Sequence, residues 1–235
     1  EDPNKYGVNV IMRYTYRLLT QQQFQRATAL MCSCELKRQN DYVIVKNAAG
    51  KMVKKYTWGW EPFLVGLFVG DTTTPNTLAT AKLRLNDYIK FNRRPKEQNP
   101  VQIINCPRCG MNLGPHNYHI SNLPKRMRVR CANKKCDFGD DQNPESFLPV
   151  VMTDDDIISA LPSLLIGTVD KFARLSWVPE FAAIFGRVRR KCKQHGFLPA
   201  NTSSGDLCKT HKNNDGKPMY RDIEPIPPPE LIIQD

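Results

Sequence analysis

Apolar and polar positions alternate with two different periods along this chain, and the change of period divides it. Val8 to Met12 (VNVIM) is a short apolar run of the kind that forms a strand. A helix is expected after it, with Thr20 at its start and Gln23 three residues on in capping-box spacing. Phe24, Ala27, Leu30, Met31 and Cys34 recur at intervals of three and four and predict its inner face. Asp41 to Tyr56, broken at Ala48-Ala49-Gly50-Lys51, reads as a polar hairpin. Leu64 to Val69 (LVGLFV) reads as a buried strand closed by Gly70-Asp71, and Thr77 to Phe91 as a second helix.

Periodicity then lapses. Asn92 to Asn99 is a charged, proline-bearing linker, and Asn105 to Gly139 is rich in loop formers. Strand and helix signals return after Pro149: Asp154-Asp155-Asp156 precede Ile157-Ile158, Leu164 to Gly167 reads as a strand, and Val169 to about Phe185 as a helix. Residues 187–226 are again polar and basic. Pro225 to Pro229 stiffen the approach to a last apolar run, Leu231 to Ile233, which delivers Asp235. The pattern predicts an α/β body interrupted twice by irregular, cysteine-bearing insertions. The boundaries fall at 1–91, 92–148, 149–186, 187–226 and 227–235.

The cysteines give the first insertion its chemistry. Cys106-Pro-Arg-Cys109-Gly and Cys131-Ala-Asn-Lys-Lys-Cys136 form two short pairs. Two thiolates on one tight turn grip one side of a tetrahedral zinc, and the second turn closes the other side. Gly110 supplies the permissive backbone that such a turn needs. Four protein ligands leave no open position, so this zinc is expected to be structural, folding roughly residues 100–138 while the α/β body stands without it. His116 and His119, between the pairs, are expected at the surface. Cys192, His195, Cys208 and His211 form a second group that can offer two sulfurs and two nitrogens to another zinc. Cys32 and Cys34 are expected in a helical core, because residues two apart on a helix point about 200° from each other and cannot share one ion.

Charge sharpens the picture. Thirty-four Lys and Arg against 23 Asp and Glu give a net charge of +11. That excess gathers at Lys125, Arg126, Arg128, Arg130, Lys134 and Lys135, and again at Arg187, Arg189, Arg190, Lys191 and Lys193. Such clusters favour a polyanionic partner, most often nucleic acid. No apolar run approaches membrane-spanning length and no signal peptide is visible, so a reducing, cytoplasmic setting is expected. No G-x4-G-K-[ST] loop occurs, so this chain alone is not expected to hydrolyse a nucleotide.

Several segments line up in order with one family. Met12-Arg-Tyr-Thr-Tyr-Arg-Leu-Leu-Thr-Gln-Gln-Gln-Phe-Gln-Arg26 resembles the strand-to-helix segment that follows the P-loop of superfamily 2 helicases. Leu67 to Asp71 (LFVGD) resembles their next strand, ending at a nucleic-acid-facing glycine. Pro162 to Ala173 (PSLLIGTVDKFA) resembles the later GT motif, and Ile232-Ile-Gln-Asp235 the first half of the DExH box. Together with the zinc-ribbon insert, these segments are similar to the large helicase-like proteins of bacterial phage defence, of the DISARM type, with Druantia-type helicases as cousins.

The resemblance implies a RecA-like parallel sheet with helices on both faces. It implies nucleic-acid contacts at Arg13, Thr15, Arg17, Gly70, Gly167, Thr168 and Lys171, and a magnesium-holding carboxylate at Asp235. ATP and magnesium are implied only for a longer parent, of which this chain would be a part cut within its catalytic motif. DNA, single-stranded or with an overhang, is the expected ligand, beside a possible defence-system subunit and with no membrane. The competing reading is a non-enzymatic zinc-ribbon module that binds nucleic acid or a partner protein on an α/β scaffold.

Overall fold

The computed structural model describes residues 6–47, 49–143, 145–200, 212 and 216–235. In chain order these residues form β1 (Val10–Tyr14), α1 (Arg17–Asn40), the hairpin β2 (Tyr42–Lys46) and β3 (Met52–Tyr56), β4 (Val65–Phe68) and α2 (Leu78–Phe91). A second hairpin follows, β5 (Tyr118–Asn122) and β6 (Lys125–Val129), then β7 (Val150–Val151), α3 (Asp154–Ala160), β8 (Leu164–Thr168) and α4 (Val169–Ala173). Strands β9 (Val188–Cys192), β10 (Gly196–Pro199), β11 (Tyr220–Asp222) and β12 (Leu231–Gln234) complete the set.

Five strands make one parallel sheet in the order β12-β1-β8-β4-β7. Strand β8 is central and wholly buried, as expected of a parallel strand covered on both faces. The two-residue period of a strand sorts its side chains. Leu164 and Ile166 join one apolar cluster with Val65 and Leu67, while Leu165 joins another with Ile11, Phe68 and Val151. Helices α1 and α2 pack on the first face, and α3, α4 and the 3-10 segment Pro179–Phe185 on the second. Gly167 belongs to the close approach of β8 and β4, since a Cβ there would lie 2.3 Å from the Phe68 carbonyl oxygen.

Several expectations need correction. Helix α1 starts at Arg17, after Tyr16, and not at a Thr20 cap; the Thr20 hydroxyl lies within the helix and donates to the Tyr16 carbonyl. Its fully buried face is Thr20, Phe24, Thr28, Cys32, Glu35 and Arg38; the expected Ala27 and Met31 pack beside it on the same core, while Leu30 is 59% exposed. Hydropathy finds only the apolar part of this face because the polar groups on it are satisfied internally. Thr28 donates to the Phe24 carbonyl at 2.7 Å, and Arg38 grips Glu35 through Nε and Nη2 at 2.8 and 2.6 Å. The same pair holds the chain that follows the first hairpin: Arg38 donates to the Gly59 carbonyl, and Glu35 accepts from the Phe63 N–H.

The single helix expected from Val169 to Phe185 is broken into α4 and two 3-10 segments, with Pro179 opening the second. The stretch expected to be a second irregular insertion instead forms a three-stranded antiparallel sheet, β10-β9-β11. Its strands bury Val188, Cys192, Phe197 and Leu198, apolar positions too scattered among arginines to show a period. The final run is no buried strand: among the described residues β12 is an edge strand paired with β1 alone, and Leu231 and Ile232 are 50% and 54% exposed. No described helix is long and apolar enough to cross a membrane.

The Glu35–Arg38 pair makes a direct prediction. Arg38→Ala would leave a carboxylate buried without its cation, and is expected to lower the free energy of unfolding by about 3–5 kcal/mol. Urea titration followed by circular dichroism checks this; a loss below about 1 kcal/mol, the scale of an exposed pair, would refute the burial argument.

Candidate metal centre and carboxyl edge

Two tight turns build the metal centre. In the first, the Gly110 N–H donates to the Cys106 carbonyl and the Cys106 N–H to the Met111 carbonyl, both at 2.8 Å, with Gly110 at a φ of 74°. In the second, the Asn133 N–H donates to Cys131 Sγ at 3.4 Å and the Gly139 N–H to the Cys136 carbonyl at 2.8 Å. Gly139 is required there, because a Cβ would stand 2.0 Å from the Asn133 carbonyl oxygen. An ion pair between Arg108 and Asp137, at 2.7 Å, ties the turns together across the surface.

The sulfurs of Cys106, Cys109, Cys131 and Cys136 all lie within 4.8 Å of one another. Cys106 and Cys136 are 3.8 Å apart, Cys109 and Cys131 3.4 Å. A tetrahedron with Zn–S legs of about 2.3 Å has edges of about 3.8 Å, so the four sulfurs lie close enough together to hold a zinc ion. Burial pushes the Cys136 thiol up to about 11 and raises Cys131 as well. At Cys109 burial also raises the thiol, but hydrogen bonds from the Met111 backbone and the neighbouring sulfurs outweigh it and bring it to about 7. A metal would replace the protons that burial otherwise keeps on these sulfurs.

This segment does not stand apart from the body. Val101, Ile103, Leu113, Tyr118, Met127, Val129 and Phe138 share one buried cluster with Phe24 and Cys32 of α1 and Val65 and Leu67 of β4. Tyr118 seals the junction, its hydroxyl donating to the Ile103 carbonyl and accepting from the Ile103 N–H, each at 2.8 Å. His119 packs on Phe147, ring centroids 5.3 Å apart, and His116 is exposed. In the second Cys/His group, Cys192 Sγ and His195 Nδ1 are 3.7 Å apart; Cys208 and His211 lie outside the described residues.

The nucleic-acid and magnesium assignments fall at the carboxyl ends of the parallel strands. Thr15 follows β1, Gly70 follows β4, Gly167 and Thr168 end β8, and Asp235 follows β12. The structure brings Thr15 and Asp235 together: the Thr15 hydroxyl donates to the Asp235 carbonyl at 3.2 Å, and the Asp235 N–H to the Arg13 carbonyl at 3.1 Å. Thr15, Arg17 and Asp235 are exposed, and Gly70 is half-buried. Arg13 is half-buried, with its guanidinium 5.8 Å from the Phe172 ring centroid and a buried Nε without a hydrogen-bond partner.

Two of the expected contacts do not face solvent. Lys171 is buried, its ammonium donating to Asp154 at 2.7 Å and to Asn76 at 2.9 Å. A cation held there positions the turns after β4 and β7 and is not free to meet a phosphate. Thr168 is fully buried and makes no side-chain cap; its hydroxyl lacks a described partner. Sequence reasoning also missed Asp156, buried at the start of α3, where it accepts from the Met127 N–H at 3.2 Å. Burial raises its carboxyl to about 7.

The sequence is similar to the DISARM protein DrmA of Bacillus paralicheniformis (strain ATCC 9945a / NCIMB 11709 / CD-2), with 34% identity over 236 aligned residues. The match takes in 97% of this chain and 19% of the relative, so the chain spans about a fifth of that protein's length. No protein-family model matches the chain.

Two outcomes test the centre. Purified chain is expected to carry at least one zinc per molecule by plasma emission spectrometry, and Cys131→Ser to carry one fewer than wild type and to lose several degrees of melting temperature. Full metal content and unchanged melting in that variant would rule out the tetrad. Asp156 supplies a pH signature. Its folded pKa lies above its unfolded value, so the fold binds the extra proton and this group's contribution falls as pH rises from about 4 to about 7. Asp156→Asn is expected to flatten that part of the stability–pH curve, measured by urea unfolding at each pH.

Proposed function

We propose, from the likeness to a DISARM protein, that this chain is the nucleic-acid-binding portion of the first RecA-like domain of an ATP-dependent DNA helicase or translocase in anti-phage defence. The observation that carries the reading is the alignment of the expected phosphate-facing positions along one carboxyl edge of a parallel sheet. Open α/β sheets bind their ligands there. The helicase-like segments lie on neighbouring strands, in the order Asp235 strand, Arg13–Thr15 strand, Gly167 strand, Gly70 strand.

On this reading the exposed Arg17 guanidinium and Thr15 hydroxyl, with the backbone at Gly70, meet the phosphates of a tracked strand. Gly167 and Thr168 shape the floor of that edge, and buried Lys171 acts as a positioning residue through Asp154 and Asn76. None of these groups reads a base, so binding is sequence-tolerant and salt-dependent. Asp235 would hold magnesium through water beside a nucleotide whose phosphate loop this chain does not contain. Zinc at the four-cysteine centre is structural and supplies no reaction step. A second zinc at Cys192, His195, Cys208 and His211 belongs to the same proposal, supported by the 3.7 Å approach of its first two ligands.

Fluorescence anisotropy with a labelled twelve-residue oligothymidylate tests the edge. Arg17→Ala is expected to weaken binding several-fold at low salt and to reduce the log–log salt slope by about 0.7, the value for one lost phosphate contact on a single strand. Wild-type affinity and slope in this variant would discard Arg17 as a contact, and with Thr15→Ala also silent the binding edge itself falls.

A further inference from the structure

A cleft of about 700 Å³ opens at the opposite, amino end of the sheet. It lies where α1 ends, roughly 36 Å from that helix's start at 1.5 Å per residue. Its walls come from the last turns of α1, the β5–β6 hairpin, and strands β9 and β11. Ligand pockets fall in this volume range and combine apolar walls with a few placed polar groups.

The charges in the cleft divide into two sets. Glu35 is matched by Arg38, and Glu61 by Lys191. The remaining lining cations are Arg126, Arg128, Lys193 and Arg221, against one further lining carboxylate, Glu145; beneath the wall, buried Asp156 also favours the charges of Arg126 and Arg128, and Glu61 that of Arg126. Arg128 is partly engaged, donating to Ser121 Oγ at 3.2 Å with its guanidinium 4.6 Å from the Phe147 ring centroid. Arg126 has a buried Nε with no hydrogen-bond partner and no ion pair among the described residues. A guanidinium left in this state is missing an acceptor, since buried donors are otherwise satisfied. Arg221 is exposed and makes no described ion pair.

The apolar wall is flat as well as oily. Trp60, 59% exposed, lines the cleft and meets Tyr56 of the first hairpin edge-on with centroids 5.5 Å apart. That hairpin carries Lys46, Lys51, Lys54 and Lys55 and no acid, so the approach to Trp60 is cationic. An accessible indole lining the same cleft as two guanidinium groups without described ion pairs suits a planar base joined to a phosphate.

We propose that the amino-end cleft binds a nucleotide unit, with its phosphate held by Arg126 and Arg221 and its base packed on Trp60. A free mononucleotide and one residue of a nucleic-acid strand offer the same chemistry. This site is separate from the carboxyl edge and does not depend on that edge's role.

Equilibrium binding to the purified chain distinguishes the two sources. One probe is mant-ATP, read by energy transfer from tryptophan; the other is 5′-fluorescein oligothymidylate of twelve residues, read by anisotropy. Arg126→Gln and Arg221→Ala are each expected to weaken at least one probe about tenfold or more, as loss of a charge-assisted phosphate contact does. Weakening of mant-ATP assigns a free nucleotide, and weakening of the oligonucleotide alone assigns a strand. Arg221 is exposed, so its variant decides the matter if Arg126→Gln does not fold. Wild-type binding of both probes by folded Arg221→Ala and Arg126→Gln overturns the proposal. Arg17→Ala reports on the carboxyl edge alone, so a silent Arg17 variant counts against that edge and leaves the cleft standing.

Discussion

A parallel sheet must be covered on both faces, because its strands are apolar on each side and its connections cross over it. In this chain that requirement is met unequally. On one face α3, α4 and the segment ending at Phe185 close over Ile11, Phe68 and Leu165. On the other, α1 and α2 do not suffice, and the cysteine-bearing segment completes the layer with Val101, Ile103, Met127, Val129 and Phe138. The tetrad therefore fixes part of the main core. A segment from Val101 to Phe138 with two five-residue strands has little regular backbone bonding of its own, a shortage that a metal held by the four cysteines would offset. The insert and the body share their apolar contacts, so unfolding of the insert would strip one face of the sheet of part of its cover.

Buried charge does comparable work at the sheet's carboxyl side. Lys171 reaches back from α4 to Asp154 and Asn76, while Asp155 accepts from the Leu78 N–H at 2.9 Å. These bonds join the starts of α2, α3 and α4. The loops they fix carry Gly70 and the Gly167–Thr168 turn, so the shape of the edge depends on residues that need not touch a ligand. Burial disfavours the charged form of Asp154, and the ammonium opposes that shift without cancelling it. An isolated group here would be costly; the pair is tolerable because each member satisfies the other.

What the sequence disclosed follows from how local each signal is. The cysteine pairs were legible because ligand spacing on a tight turn is a local property, and four sulfurs at tetrahedral distances followed from it. Strands β4 and β8 were legible as continuous apolar runs. The face of α1 was legible only in part: Phe24, Ala27 and Met31 do pack on the core, but Thr20, Thr28, Glu35 and Arg38 are buried through bonds that hydropathy does not register. Strands β9 to β11 were hidden by the arginines between their buried positions. Lys171 was misjudged for a related reason: proximity in sequence to a glycine turn says nothing about which way a long side chain folds, and here it folds inward to Asp154.

The two ends of the sheet differ in what they leave unsatisfied. At the carboxyl edge the strands end in a shelf with an exposed Arg17, Thr15 and Asp235, suited to a phosphate backbone passing over it. At the amino end α1, the β5–β6 hairpin and β9 enclose a volume, and enclosure changes the electrostatics. A guanidinium at a wall loses water that one on a shelf keeps, so an anion entering there replaces more missing interaction. Arg126, half-buried with a buried Nε, and exposed Arg17 thus offer different surroundings to an anion despite their shared chemistry. If the proposed roles hold, the first suits a discrete unit held in place and the second a strand that must also let go.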